Sequence, residues 1–202
     1  MTSIGKINRE TVNKVHHFVS EILDHQLPKD YIFHSKEHTL DVLKNVELIG
    51  NYIKLKEDEM NILRVCALFH DVGYIRTYKG HEMESAIIAK KFLQNENIDE
   101  NHISQVISAI KATKVPQNPK DKLSKILCDA DLMHLTYNNY FDQVEMMRME
   151  WQFMGIANLT INEFHINSVK FFNSHHYHSE YGRKVLQQKK EKNLKRIKAE
   201  IF

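Results

Sequence analysis

The side chains best suited to chemistry form an ordered set: His38, then the adjacent pair His70-Asp71, then Asp131. Imidazole suits a divalent transition metal such as Mn, Fe, Co, Ni or Zn, with Mg a further candidate, and carboxylates add oxygen ligands that partly neutralise the ion. Two His and two Asp leave positions open for water and substrate, as a catalytic site requires. A single His or Asp is more often a cap or a satisfied polar residue. The whole set, on its apolar flanks, is what sets these residues apart.

An adjacent His-Asp pair reaches one cation when it sits at a helix end, so the helices come next. Val12, Val15, Val19 and Ile22 recur at helical spacing and Pro28 follows, which predicts a first helix. After the irregular DYIFHSKEHT, a second helix carries Leu40, Leu43, Val46, Ile49 and Ile53 on one face. Asp58 is the expected cap of a third, with Met60, Leu63, Ala67 and Leu68 inward and His70-Asp71 at its end before Gly73. GYIRTYKGHEMES reads as a loop into a fourth helix with Ala86, Ala89, Phe92 and Leu93. A fifth carries Ile103, Val106, Ile107 and Ile110 and ends at a loop with Pro116 and Pro119. A sixth runs through Leu123, Ile126, Leu127 and Ala130 to Asp131. The stretch 138–155 is amphipathic, with Phe141, Val144, Met147 and Trp151, and Thr160 to Glu163 has the form of a capping box. From Gly182 onward eight Lys/Arg stand against two Glu, which predicts a terminal helix with a solvated face or a surface for a membrane or partner.

Composition agrees with an all-α protein. The 202 residues include six Gly and three Pro, too few for many tight turns. The 42% apolar and 27% charged content suits a soluble globular chain, and a net charge of +2 gives no argument for nucleic acid. No run approaches the roughly 20 apolar residues of a membrane span. MTSIGKINRE has no signal-peptide core, so Asn158-Leu159-Thr160 is read as a chance glycosylation match. Cys66 and Cys128 lie in apolar runs and are expected as reduced, buried thiols of a cytoplasmic protein. Neither has a neighbouring Cys with which to build a zinc site.

Three segments, FHSKEHT around His38, ALFHDVGY around His70-Asp71 and ILCDADLMHL around Asp131, resemble the HD-domain superfamily of metal-dependent phosphohydrolases. The resemblance spans about residues 30–140 and keeps the family's order. It implies a helical bundle with additional C-terminal helices, read as one domain over 1–202 with a motif-bearing core at 30–140 and an extension at 141–202. The metal ligands it implies are His38, His70, Asp71 and Asp131. Asp131 is preferred over Asp129 because the family's distal Asp follows a small residue and precedes a Leu-containing turn. Asp129 then caps or supports the site, and the reverse assignment is the alternative.

YKGHEMESA also looks like the family, and His81 matches a position that serves a second ion in two-metal members, with Glu82 assisting. Two departures stand against a permanent second metal and against the cyclic-di-nucleotide phosphodiesterases: Thr113 where another His is usual, and Tyr74 where the HDxGK motif has Lys. MRMEWQF and FFNSHHYHSEYG resemble the C-terminal helices of a bacterial HD subgroup. Arg148 and Glu150 are expected as a structural ion pair or pocket wall, with substrate contacts as the alternative. His175, His176 and His178 cannot all face one way on a helix, so no tri-His site is expected there.

The implied reaction is attack of metal-bound hydroxide on phosphorus, with positive side chains sharing the developing charge. Asp71 ligates the ion and orients the hydroxide. His81 is the candidate for protonating the leaving group, with a surface loop histidine as the alternative. His34 lines the pocket or orients His38 from behind, and it is grouped with Lys79 and Lys111 as substrate-binding. Arg76 and Lys114 are further cations near the motifs. The expected substrate is a small phosphoester, a nucleotide or cyclic nucleotide first, with no nucleic acid and no membrane span; a homodimer is compatible. A non-catalytic nucleotide-sensing module and a diiron oxygenase are the competing functions, and fold analogy alone does not choose among them.

Overall fold

The computed structural model describes residues 5–201; residues 1–4, part of the stretch read above for a signal core, and residue 202 lie outside the described residues. The described residues form nine α-helices with short 3-10 and π segments: α1 (Arg9–Gln26), α2 (Lys36–Tyr52), α3 (Glu57–Phe69), α4 (His81–Asn95), α5 (Glu100–Ala112), α6 (Lys122–Asp131), α7 (Tyr140–Phe153), α8 (Ile161–Ser174) and α9 (Gln187–Ile201). No strand is assigned among them; Gly5 makes only an isolated parallel bridge to Ile98. No described helix is long and apolar enough to cross a membrane.

α3 is the central helix. Its residues from Met60 to Leu63 and from Val65 to Phe69 are all buried, and it packs on α1, α2, α5 and α6. A helix apolar around most of its circumference must lie inside the bundle. It begins at Glu57 with Lys56 at the N-cap, so Asp58 is not the cap. Glu59 instead accepts the Lys56 N–H at 3.3 Å, and the acidic first turn complements the helix dipole.

α2 turns a face toward the core that differs from the sequence expectation. Thr39, Val42, Val46 and Ile49 are buried, whereas Leu40 and Leu43 are half-buried. Asn45 joins the buried face because its amide donates to the Ala130 carbonyl at 3.1 Å and to Tyr137 Oη at 2.8 Å. This ties α2 to the end of α6. Ser35 caps α2, accepting from the His38 N–H at 3.4 Å.

The segment after α3 is more ordered than a loop. A 3-10 turn runs over Val72–Ile75, and α4 begins at His81 itself. Gly73 makes that packing possible. A Cβ there would lie 2.1 Å from the His81 carbonyl oxygen and 2.7 Å from the Ser85 nitrogen, both backbone atoms. The Gly73 N–H also donates to Ser85 Oγ at 2.8 Å. The first turn of α4 is thereby held directly against the His70-Asp71 corner.

Asp121 and Ser124 form a capping box that opens α6, and a 3-10 turn over Leu132–Thr136 closes it just after Asp131. The C-terminal region braces that turn. Tyr177 Oη donates to the Leu132 carbonyl at 2.9 Å, and Asn193 Nδ2 donates to the Leu135 and Tyr137 carbonyls, each at 2.9 Å. The basic terminal helix is therefore docked along one face rather than free all round. Lys190, in the middle of the Lys-rich run, is 1% exposed, and its amine donates to the Phe172 carbonyl at 3.0 Å and to that of His175. These carbonyls end α8, where a buried cation also meets the negative end of the dipole. The predicted capping box at Thr160 and Glu163 is present. His175, His176 and His178 lie in the irregular segment after α8, buried, exposed and half-buried in turn.

Candidate metal centre

The helices bring four separated residues to one point. His38 comes from the first turns of α2, His70 and Asp71 from the end of α3, and Asp131 from the end of α6. His38 Nε2 lies 3.3 Å from Asp131 Oδ1 and 3.5 Å from Asp71 Oδ2. His70 Nε2 lies 3.2 Å from Asp71 Oδ2 and 3.7 Å from Asp131 Oδ1. Ligand atoms of His38, His70 and Asp71 all fall within 4.8 Å of one another. Ligands held at roughly 2.1 Å from a single ion sit about 3.0 Å apart when octahedral and about 3.4 Å apart when tetrahedral. The observed spacings of 3.2–3.7 Å lie around the tetrahedral value and above the octahedral one, so His38, His70 and Asp71 fit a single divalent ion, with Asp131 beside them.

The imidazole of His70 is oriented for such an ion. Its Nδ1 donates to the Ala67 carbonyl at 2.7 Å, which turns Nε2 toward Asp71 and Asp131; an ion bound there takes the place of the proton on Nε2. His70 is fully buried, and Nε2 has no hydrogen-bond partner. Burial pushes the imidazole down, but Asp71 and then Asp131 outweigh it and raise His70 to about 9. Burial pushes both carboxyls up; His70 and His81 pull Asp71 well below its ordinary value, and His38 and His70 pull Asp131 below its own. Both carboxylates are therefore ionised, as metal binding requires.

Asp71 faces two ways. While Oδ2 meets His38 and His70, Oδ1 lies 3.3 Å from His81 Nε2. His81 is fixed by its Nδ1, 3.0 Å from the Tyr78 carbonyl, and by stacking on Tyr74 at 3.8 Å between centroids. Glu82 Oε1 is 3.9 Å from His81 Nε2. Tyr74, which stands where the two-metal motif has Lys, thus forms the platform under His81. Thr113 is buried, and its hydroxyl donates to the Ile110 carbonyl at 2.8 Å.

The remaining residues fall into place around this cluster. Asp129 points away: its carboxylate accepts the His178 and Ser179 N–H groups, each at 2.7 Å, and packs against Gly182. His34 and Lys79 line a cavity of about 650 Å³ that also reaches Asp71, His81 and Asp131. Lys111 does not line it; it is exposed on α5, and Lys114, three residues on, takes the position at the cavity. Arg76 pairs with Glu84 at 2.8 Å and does not line the cavity either. Arg148 pairs with Glu145 at 2.6 Å and with the Leu159 carbonyl at 3.0 Å, not with Glu150. Residues two apart on a helix point to different faces, so the expected Arg148–Glu150 pair does not form.

Glu150, expected as an ion-pair partner or pocket wall, and His134, to which the motifs gave no role, both belong to the site. Glu150 is fully buried and accepts from the ring of His34. The available signal was a carboxylate close to the apolar stripe of Val144, Met147 and Trp151, where an unpaired charge would be costly. His134 lies beside His38, with its Nδ1 3.0 Å from the Asp131 carbonyl, and burial followed by the charge of His38 lowers it to about 4. It is a neutral wall of the site.

The fold is similar to that of a crystal structure of a protein from Lactobacillus plantarum, with a TM-score of 0.66 at 13% identity over 96% of this chain and 98% of that one. No curated protein matches the chain. The HD domain model matches residues 36–136, the segment that runs from the start of α2 past Asp131 and contains all four clustered residues. The chain belongs to the HD domain family.

Proposed function

We propose that this chain is a phosphohydrolase that acts on a small phosphoester, with a divalent metal held by His38, His70, Asp71 and Asp131. The observation that carries the reading is His70 Nε2, buried, unpartnered and aimed at two ionised carboxylates. A divalent cation at the cluster takes the place of the proton that Nε2 otherwise holds against the carboxylates and satisfies both of them. When bound, such an ion lowers the pKa of a water and polarises a phosphoryl oxygen. Asp71, with one oxygen toward the ligand histidines and the other toward His81, orients the attacking water. His81 Nδ1 donates to the Tyr78 carbonyl, and burial pushes the imidazole down but Asp71 outweighs it and raises it, which favours the imidazolium whose second proton, on Nε2, is available to the leaving oxygen. His34 and Lys79 are the substrate-facing residues of this reading.

A second reading of His81 has its own support. His81 Nε2 lies 3.3 Å from Asp71 Oδ1 and 3.9 Å from Glu82 Oε1, so it stands between two carboxylates that a second ion would use, although Thr113 adds no imidazole. We read residues 1–202 as one domain with its core at 30–140 and an extension at 141–202. The continuous apolar core that joins Val144, Phe164, Phe172 and Leu186 to α3 supports this. Cys66 and Cys128 are both free and buried, which supports a reducing, cytoplasmic setting.

The test is elemental analysis of protein purified without chelator, beside His70→Ala and Asp131→Ala, followed by a phosphoester panel that includes nucleotides and cyclic nucleotides. Metal bound by the parent, absent from both variants, together with turnover of any panel member, is the expected result. Two ions per chain, with one lost in His81→Ala, selects the second reading of His81. Ligand binding without turnover across Mn, Co and Ni moves the protein to the sensing class, and iron-dependent oxygen uptake moves it to the oxygenases.

A further inference from the structure

The cavity that begins at the metal centre extends well beyond it. Asp71, His81 and Asp131 line one end of the roughly 650 Å³ space. The opposite wall comes from α7 and α8, through Tyr140, Val144, Met147, Trp151, Phe164 and Phe171. Cavities of this size hold a molecule of about drug dimensions.

The polar inventory of that wall is short. Ser168 and Thr113 line it, but their hydroxyls already donate to the Phe164 and Ile110 carbonyls, at 2.9 and 2.8 Å. Gln143 and Asn167 remain, together with the Tyr140 hydroxyl and the Trp151 indole N–H, each at the edge of an otherwise apolar ring. The cations that line the cavity are Lys79 and Lys114, both exposed, and no arginine lines it among the described residues. A polyphosphate calls for several cations or forked guanidinium contacts. A nucleobase or sugar pressed against this wall would lose water from polar edges that find few partners.

We propose that the substrate is a phosphomonoester of an apolar alcohol. Its phosphoryl group sits at the metal end, and its alkyl or aryl part fills the space against α7 and α8. This rests on the phosphohydrolase reading above. Water adds to phosphorus, the bond from phosphorus to the alcohol oxygen breaks, and the products are inorganic phosphate and the free alcohol, which takes the proton. The polar phosphoryl end and the apolar remainder thus match the two ends of one cavity. Each methylene that leaves water for the wall contributes about fourfold to binding until the space is filled.

The experiment uses the metal-loaded full chain with methyl, butyl, octyl and phenyl phosphates against adenosine monophosphate, and the matching alkylphosphonates as non-hydrolysable ligands followed by Trp151 fluorescence. The expected result is a kcat/KM that climbs steeply from methyl to octyl, mainly through KM, and octylphosphonate binding at least tenfold tighter than the nucleotide. Met147→Gln and Val144→Thr, which change polarity at nearly constant volume, lower the octyl-to-methyl ratio about tenfold. A flat chain-length series, a nucleotide that binds or turns over better than the octyl compounds, or no binding of either class overturns the proposal. Tight octylphosphonate binding with no turnover of any ester keeps the proposed ligand class and removes the hydrolase reading, so the two fail separately.

Discussion

Glu150 on α7 holds His34, which stands beside the metal centre in the approach to α2. The carboxylate accepts from the His34 ring and also from the Phe33 and His34 backbone N–H groups, at 2.8 and 3.0 Å. Tyr78 Oη adds a weaker contact at 3.4 Å. A side chain of the C-terminal extension therefore fixes the backbone that leads to His38 and orients a ring tilted against Tyr74, 4.5 Å between centroids.

Glu150→Gln keeps the size and removes the charge. Hydrogen bonds to a charged group are worth about 1.5–3 kcal/mol, and a fall in unfolding free energy of that order is expected in denaturant titration. The acid limb should change as well. Burial pushes the Glu150 carboxyl up, but the His34 bond outweighs it and holds the group below its ordinary 4.5. Its contribution is thus complete above pH 4.5 and is lost as pH falls through the lower folded value. The variant should show a shallower loss of stability below pH 4.5. An unchanged acid limb would sink the assignment.

His175 gives a second pH dependence, over a different window. Burial, then Lys190, with His178, His176 and His134 behind it, lowers its imidazole to about 3 from 6.5. The folded state keeps it neutral while the unfolded chain takes up a proton below pH 6.5. Stability is therefore flat above that value and declines as pH falls from 6.5 toward 3, by roughly 3–5 kcal/mol at about 1.4 kcal/mol per unit. His175→Gln should flatten the curve between pH 6 and 4 in thermal melts at fixed ionic strength. The backbone carbonyl that Lys190 uses is unaffected by this change.

Much of the bundle was legible because its signals are local. The apolar spacing of α1, α3 and α6 and the capping box of α8 require nothing beyond their own turns. What escaped was decided by partners distant in sequence. Asn45 reads as a polar interruption until the Ala130 carbonyl and Tyr137 reach it. Lys190 reads as one more solvated lysine until the end of α8 is folded over it. The order of the clustered residues was readable from the motif segments, but the long cavity depends on α7 and α8 packing across Leu132 and Leu135, which no local pattern reports.

Gly73 tests the link between packing and the site. Gly73→Ala places a methyl against the α4 backbone, where neither contacting atom is the flexible end of a side chain. Overpacking of this kind costs about 1–3 kcal/mol. The first turn of α4 must move, and His81 with it, so activity should fall at least tenfold. Gly80→Ala is the contrast: its φ of +78° makes alanine strained, at about 1–2 kcal/mol, but no atom lies within 4 Å of the added carbon. Comparable losses of melting temperature with a far larger activity loss at Gly73 are the expected outcome. Equal activity losses would remove the packing argument.

Asp129 and Asp131 are two residues apart on α6 and serve opposite faces, so one pair of substitutions separates scaffold from ligand. Asp129→Asn sets an amide nitrogen against one of two backbone N–H donors, His178 or Ser179, and should cost about 1–3 kcal/mol of stability. Its metal content should stay at the parental level. Asp131→Asn removes a charged oxygen from the cluster that includes His38 and His70, and metal affinity should fall by one to two orders of magnitude or more. A chelator should then lower the melting temperature of Asp129→Asn as it does that of the parent, because a ligand that binds only the folded state stabilises it by mass action. The same chelator should leave Asp131→Asn unmoved. Retention of metal by Asp131→Asn with its loss from Asp129→Asn would reverse the ligand assignment and would mean that α6 turns by about half a rotation from the position in which Asp129 caps the C-terminal segment.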